Sequence, residues 1–182
     1  MPLPSSHDLV RPVDATDHTL GALHAPVIVI EYGDFQCPLC KQAAAAGKLL
    51  LQRFPNRVLF AYRHYPLEEA HPHALAAAEA AECAGEQGKF WQMHDLLFEN
   101  QERLTLRHLA SYAESLALDM ARYTAEMDDH VYLQRIREHQ QSGRTSHLRA
   151  TPGFFVNGRV QDVSFGLHAL FDAVNAATVA HR

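Results

Sequence analysis

The chain has 182 residues, of which 47% are hydrophobic, and a formal net charge of -5 at pH 7. A chain of this length can bury the core of one globular unit and leaves room for a second lobe. The acidic balance is mild and disfavours nucleic acid or an anionic membrane as the main partner. Because no apolar run approaches the length of a membrane span, no membrane partner is predicted.

The start of the chain bears on its compartment. Residues 1–17 have neither a basic start nor an apolar stretch, so they are not expected to act as a secretory signal. A chain that starts here is expected to stay in the cytoplasm, where reducing conditions favour a catalytic or sensing cysteine pair over a permanent disulfide. A chain trimmed of an export signal would look the same, so an exported location stays open.

Two closely spaced cysteines follow the first predicted strand. Val27–Ile30 is a continuous β-branched run, which is typical of a strand buried on both faces. The motif Cys37-Pro38-Leu39-Cys40 comes next, and residues 41–46, a lysine, a glutamine and four alanines, are typical of a helix. A CxxC pair between a strand and a helix predicts a reversible disulfide of the thioredoxin type.

The motif assigns different roles to its two sulfurs. The amides and dipole at the helix start favour negative charge on Cys37 and should lower its pKa, so Cys37 is the predicted nucleophile. Cys40 lies one turn further along and should be less exposed, which suits a resolving thiol that attacks a mixed disulfide on Cys37. Pro38 fits the first helical turn, where a missing amide donor costs least. Leu39 offers no hydrogen bond to a neighbouring thiolate.

A structural zinc site is the simplest alternative for these cysteines. A closed zinc site needs four ligands, usually with a second pair at similar spacing. Cys83 lies in an alanine-rich helical segment and is expected to be a small buried hydrophobe. His71 and His73 form the remaining candidate pair, but they and His64 fall in or near a turn rich in Pro and Glu and are expected to be solvated. Neither a metal nor any other cofactor is therefore predicted.

The rest of the sheet is predicted from short apolar runs. Val58–Tyr62 follows a turn and is expected to be a strand parallel to the first one, joined by a right-handed crossover. Phe154–Val156 is a third strand, and Asn157-Gly158 is a strong hairpin signal before a fourth strand over Val160–Val163. A closing helix is predicted from about Leu167.

Between these strands the periodicity is wholly helical. Helices are predicted over His73–Gly85, Phe90–Phe98 and Leu106–Leu116, with further starts near Asp119 and Asp129. Phe90, Trp91 and Phe98 have helical spacing and are expected to be core. We therefore predict one domain made of residues 1–65 and 150–182, and an inserted all-helical domain over residues 66–149.

Four segments in this order carry a family resemblance. They are Glu31-Tyr32-Gly33-Asp34-Phe35-Gln36-Cys37-Pro38-Leu39-Cys40, Tyr62-Arg63-His64-Tyr65-Pro66-Leu67, Glu79–Ala84 continuing to Phe90–His94, and Thr151-Pro152-Gly153-Phe154-Phe155-Val156-Asn157-Gly158. From about Gly21 onward the chain resembles the DsbA-like thiol-disulfide oxidoreductases of the thioredoxin superfamily. The resemblance implies an α/β thioredoxin fold with an inserted helical lobe.

The resemblance also implies roles for residues outside the motif. A cis proline precedes the third strand in this family, which identifies Pro152, and the backbone of Thr151 is expected to bond an extended substrate. Phe35, together with Pro38 and Leu39 of the motif itself, would complete the substrate groove. Glu31 matches a buried acid that relays a proton for Cys40, although a glutamate at the end of a strand can also simply reach solvent.

Leu39 replaces the histidine of the strongly oxidising members of the family. Without that polar group the disulfide should be a weaker oxidant, so the direction of catalysis stays open. The predicted function is thiol-disulfide exchange through Cys37 and Cys40 with a protein or low-molecular-weight thiol, and with a redox partner that resets the pair. The alternatives are a glutathione-linked transferase or isomerase, which the second cysteine disfavours, and a non-catalytic module that binds metal through the two thiols.

Overall fold

A computed structural model describes residues 8–180 of the chain. The chain forms two compact units. The first, here called the sheet unit, contains the described residues up to Gly33, then Ala45–Arg63, and the chain from Gln141 onward. The second, the helical unit, contains Asp34–Ala44 and His64–Gln140. The cysteine motif therefore belongs to the helical unit.

The described part of the sheet unit contains a five-stranded sheet with the order β1-β3-β2-β4-β5. Its strands are β1 His18–Gly21, β2 Val27–Gly33, β3 Val58–His64, β4 Gly153–Val156 and β5 Arg159–Gln161. The β1/β3, β2/β4 and β4/β5 pairs are antiparallel. The predicted mixed α/β architecture is confirmed, and β1 is an additional strand that its four-residue sequence does not signal.

The sheet core explains why a glycine ends β2. Every residue of β3 is buried, as expected for an apolar strand in the middle of a sheet. At Gly33 a Cβ atom would lie 2.6 Å from the ring and hydroxyl of Tyr62. Gly33 therefore lets the strand pass this ring immediately before the chain turns towards the cysteine motif.

The predicted hairpin connects β4 to β5. Asn157 and Gly158 have φ values of 46° and 80°, the left-handed pair that a tight two-residue hairpin requires. Asn157 also bonds Ile28 of β2 twice: its amide donates to the Ile28 carbonyl and its Oδ1 accepts from the Ile28 amide, both at 2.8 Å. The following strand is shorter than predicted and ends at Gln161.

The helices follow the predicted order, with two differences at their ends. They are α1 Pro38–Ala43, α2 Ala46–Arg53, α3 Ala74–Gly85, α4 Phe90–Glu99, α5 Leu106–Ser115, α6 Met120–Asp128, α7 Leu133–Thr145 and α8 His168–Ala180. The alanine run after the motif does not form one helix, because the amide of Ala44 bonds the Lys41 carbonyl in a tighter turn that separates α1 from α2. Helix α7 begins after the predicted position, since His130 has a φ of 51° and interrupts the helical path.

The alanine-rich helix α3 lies at the centre of the helical unit and packs against α4, α5 and α6. Its alanines are almost all buried, and their small side chains let neighbouring helices approach closely. Over residues 8–180, each helix is too short or too polar to cross a lipid bilayer.

Candidate active site

The cysteine motif forms the start of α1. Cys37 is the N-cap residue with extended backbone angles, Pro38 occupies the first turn, and the amide of Lys41 closes that turn on the Cys37 carbonyl at 3.1 Å. Cys40 is fully buried, whereas Cys37 keeps 6% exposure and Leu39 is 58% exposed. The motif therefore presents one sulfur closer to the surface, beside an exposed leucine, and keeps the other inside.

Asp34 folds the segment before the motif. Its Oδ1 accepts from the Gln36 amide at 2.7 Å, and its carbonyl accepts from the Cys37 amide at 3.1 Å. Its own amide lies 3.5 Å from the Cys40 sulfur and donates to it. One buried aspartate therefore contacts both ends of the motif through local turn geometry.

A second segment, residues 67–73, is bonded to the same aspartate. Asp34 Oδ2 accepts from the Leu67 amide at 2.8 Å and pairs with His71 Nδ1 at 2.7 Å. The amide of His73 donates to the Gln36 side chain at 2.8 Å. We call these contacts, together with the Gln36 amide bond, the Asp34 clasp. The three bonds to residues 67–73 join positions more than 30 residues apart in sequence, so local pattern analysis could not find them.

His64 and His71 are not solvated, contrary to the prediction from the sequence. His64 is buried and its Nε2 lies 2.7 Å from Glu82 Oε1, while the other carboxylate oxygen of Glu82, Oε2, accepts from Arg135. His71 is largely covered, and its ring is engaged by Asp34. The expectation of a solvated turn was wrong because nearby acidic side chains, unseen by local sequence, supply partners for these rings.

Phe35 differs from its predicted place in a substrate groove. Its side chain is only 1% exposed, and its ring packs 5.0 Å from that of Phe98 and 5.8 Å from that of His94. The ring therefore anchors the loop in the helical unit and is not available for substrate contact. Phe90 and Phe98 are buried core, as predicted.

The remaining predicted site residues lie in the sheet unit. Glu31 is on β2 opposite Phe154 of β4 and is only 1% exposed, so the alternative that it reaches solvent is wrong. Thr151 is buried, and the Thr151–Pro152 peptide bond, which the resemblance marks, is cis. The structure thus brings Phe35, Cys37, Pro38, Leu39 and Cys40 together in one unit and places Glu31, Thr151 and Pro152 in the other.

Cys83 is a buried thiol with a raised pKa. It is fully buried in α3, and burial, with the nearby carboxylates of Glu126 and Glu79, raises the pKa of its thiol to about 12. A thiol that stays protonated is a poor nucleophile and metal ligand. Among the described residues, groups of three or more His, Cys, Asp and Glu side chains arranged to hold a metal ion are not found.

Comparisons with known proteins agree with this geometry. The family described as Thioredoxin matches residues 14–176. The chain is 46% identical over 176 residues to the Na(+)/H(+) antiporter NhaA 1 of Salinispora arenicola, and the match spans 96% of this chain but 27% of that protein. It is 38% identical to the Na(+)/H(+) antiporter NhaA of Herminiimonas arsenicoxydans over 83% of this chain and 24% of that protein. The chain thus spans about a quarter of the length of these relatives.

Several solved structures share the fold. A thioredoxin-like oxidoreductase from Silicibacter pomeroyi superposes with a TM-score of 0.77 at 25% identity, covering 90% of this chain and 93% of that one. BdbD from Bacillus subtilis gives 0.78 at 22% identity over 88% and 92%. The thiol-disulfide exchange protein alpha-DsbA2 from Wolbachia pipientis gives 0.78 at 17% identity over 90% and 88%. Together with the cysteine motif at the start of α1, these matches establish that the chain belongs to the thioredoxin family and has the DsbA-like fold of the thiol-disulfide oxidoreductases.

Proposed function

We propose that this protein exchanges the Cys37–Cys40 disulfide with protein or low-molecular-weight thiol partners. The observation that carries the proposal is the placement of two cysteines one turn apart at the start of α1, with Cys37 nearer the surface and Cys40 buried. That difference in access lets a partner reach one sulfur while the second waits inside to resolve the intermediate.

The thiol-disulfide exchange takes place in two steps. The thiolate of Cys37 attacks a disulfide of the partner, forms a mixed disulfide and expels one partner thiolate, which takes up a proton. The thiolate of Cys40 then attacks the Cys37 sulfur, closes the Cys37–Cys40 disulfide and expels the second partner thiolate. Two electrons pass to the partner, and a dithiol reductant resets the pair. In the oxidising direction the steps reverse and a disulfide oxidant resets the pair.

The supporting roles extend this proposal. Pro38 and Leu39 are exposed beside Cys37 and contact the partner chain. The backbone of Thr151, fixed by Pro152, bonds an extended partner segment in the manner of an added strand. Glu31 relays a proton for Cys40, a role supported by the burial of its carboxyl group.

Cysteine replacement tests the mechanism directly. Cys37→Ser is expected to reduce disulfide exchange to the uncatalysed rate, because the attacking sulfur is lost. Cys40→Ser is expected to accumulate a mixed disulfide with the partner, because nothing resolves it, and mass spectrometry identifies the trapped species. Cys83→Ala is the matched control and keeps activity. Full activity in Cys37→Ser, or stoichiometric zinc in a protein without exchange activity, contradicts the proposal.

The reduction potential of the pair decides the direction of catalysis and the compartment. A value near that of thioredoxin, about -270 mV, supports a reductase in the predicted cytoplasmic location. A value near that of DsbA, about -120 mV, supports a disulfide donor acting outside the cytoplasm. Leu39 at the third position of the tetrapeptide leads us to expect a value on the reducing side, measured by equilibration with glutathione.

A membrane transporter is a candidate partner. The observation that favours it is the match of nearly the whole chain to part of proteins named Na(+)/H(+) antiporters. The test is to mix the Cys40→Ser protein with membranes that contain such an antiporter and to identify mixed disulfides by mass spectrometry. A trapped antiporter peptide supports this partner, whereas capture of other thiol proteins alone contradicts it.

A further inference from the structure

The side chain of Gln101 reaches the cysteine motif from a distant part of the helical unit. Gln101 lies in the turn after α4, and its Nε2 donates to the carbonyl of Phe35 and to the carbonyl of Cys37, each at 2.9 Å. These carbonyls stand on either side of Gln36 at the start of α1. The side-chain amide has two N–H groups, and both are used here.

These two bonds act where the backbone leaves the sheet and enters the helix. Cys37 is the N-cap residue with φ -77° and ψ 123°, and its carbonyl already accepts the first helical bond from Lys41. A second donor on that carbonyl holds the peptide plane at the cap. The position of Cys37 relative to the amides of the helix start depends on that plane.

The bonds also have an electrostatic effect. Carbonyl oxygens carry partial negative charge, and two of them beside a cysteine disfavour its thiolate. An amide donor bound to both oxygens offsets part of that negative potential, which matters more in a partly buried site than in water. Loss of the donor should therefore make Cys37 harder to ionise even where the loop keeps its shape.

We propose that Gln101 is a positioning residue of the thiol-disulfide site, which holds the Phe35 and Cys37 carbonyls so that the Cys37 thiolate is favoured. This inference rests on the proposed function, because it assumes that the Cys37 thiolate is the reacting species. The sequence alone did not indicate it, since Gln101 is 64 residues from Cys37 in a polar turn.

Gln87 offers a matched control for a purely structural role. Its side chain also joins two loops of the helical unit: its Oε1 accepts from the Asp119 amide at 2.7 Å and its Nε2 donates to the Asp119 carbonyl at 3.4 Å. These contacts are with the N-cap of α6 and not with the cysteine motif. Substituting Gln87 and Gln101 in the same way therefore distinguishes a general loss of loop-to-loop hydrogen bonds from a specific effect on Cys37.

The test follows alkylation of Cys37 in the reduced full chain by iodoacetamide across pH, read at the peptide level by mass spectrometry. Gln101→Met keeps the length of the side chain but not the donor. We expect its alkylation at pH 7 to be about three- to tenfold slower, with the midpoint of the pH profile moved to higher pH, the size of effect expected when a side-chain hydrogen-bond donor is lost. Gln87→Met is expected to keep the wild-type profile.

A variant that keeps a hydrogen-bond donor at this position completes the test. Gln101→Lys retains a donor at this position, so we expect alkylation at least as fast as in the wild type. A Gln101→Met profile that superimposes on the wild-type profile overturns the inference, whatever its melting temperature. If Gln101→Met does not fold, slowed alkylation in Gln101→Lys overturns it. The proposed function fails separately, through an active Cys37→Ser variant.

Discussion

The two active-site sulfurs differ in what surrounds them. Cys40 is fully buried and accepts from the Asp34 amide, while Cys37 keeps 6% exposure and has the exposed Pro38 and Leu39 beside it. This asymmetry arises from helix geometry, since residues at the cap and at the third helical position project to different depths. The roles of nucleophile and resolving thiol follow from this difference in depth.

Asp34 is bonded to both cysteines of the motif, and its carboxylate accepts from three further donors. We expect Asp34→Asn to lower the free energy of unfolding by about 1–3 kcal/mol, because an amide group must then face at least one N–H donor. Amide hydrogen exchange at Gln36 and Leu67 should accelerate in the same variant. Urea denaturation and exchange detected by mass spectrometry measure both effects.

Asp119→Asn is the control for this substitution. Asp119 caps α6 by accepting from the exposed Arg122 amide, and asparagine caps a helix about as well as aspartate. Its unfolding free energy should change by less than about 0.5 kcal/mol. Equal losses in the two variants would show that the Asp34 clasp contributes nothing particular to the motif.

At the scale of secondary structure elements, α3 combines a buried face of alanines with buried titratable groups. Glu82 on this helix bonds His64 and Arg135, and Cys83 follows it inside the helical unit. Small residues allow close helix packing, so polar groups on the same helix are withdrawn from water and need partners. The helix therefore contributes both to packing and to the pH dependence of stability.

The raised pKa of Cys83 leads us to expect a lower free energy of unfolding in alkaline solution. Its pKa is raised by burial to about 12 from an ordinary value of 9.0, so the folded state holds this proton more tightly than the unfolded state. Its contribution is fully present below pH 9 and is lost as pH rises towards 12. Relative to Cys83→Ala, the wild type should lose about 2 kcal/mol between pH 8 and pH 10.5.

Urea denaturation of both proteins across this pH range provides the measurement. The comparison of slopes cancels the titration of Cys37 and Cys40, which both proteins share. Parallel curves, or alkylation of Cys83 in the folded protein at pH 9, would contradict a raised pKa for this thiol.

At the scale of the whole molecule, one arginine binds the N-terminal segment of the sheet unit, residues 11–17, to the sheet. Arg63 on β3 is fully buried and donates from Nε and Nη2 to Asp17 at 2.7 and 2.8 Å. It also donates to the carbonyls of Arg11 and Pro12 and to the hydroxyl of Tyr32. Desolvation is the largest single effect and would by itself lower the pKa of this guanidinium, but the contacts with Asp17 and Tyr32 together outweigh it, so the pKa is raised and the group stays charged.

Arg63→Met is expected to cost about 3–5 kcal/mol of unfolding free energy, because it leaves the buried Asp17 carboxylate without its counter-charge. The double variant Arg63→Met/Asp17→Asn should regain at least about 1 kcal/mol, since the buried charge is gone. Arg122→Met, which removes an exposed pair with Glu126, should cost less than about 1 kcal/mol. Chemical denaturation of the wild type and the three variants measures these unfolding free energies. A double variant that is less stable than Arg63→Met would refute the prediction.

Patterns within a few residues were sufficient to predict much of this protein. The spacing of Cys37 and Cys40, the apolar runs of β2 and β3 and the Asn157-Gly158 turn each depend on neighbours along the chain, and each formed as predicted. Covalent geometry and local backbone preferences decide such features, so they can be recognised without tertiary contacts.

Tertiary structure decided what surrounds the motif. Glu31 and Phe35 are buried by the folded chain. The Asp34 clasp and the two bonds from Gln101 join segments that are tens of residues apart in sequence. Whether a polar side chain is solvated or enclosed depends on which distant segments pack over it, and one sequence contains no local signal of that packing. The amino-acid pattern thus determined the fold class and the reactive pair, whereas only the folded chain determined which groups hold that pair in place.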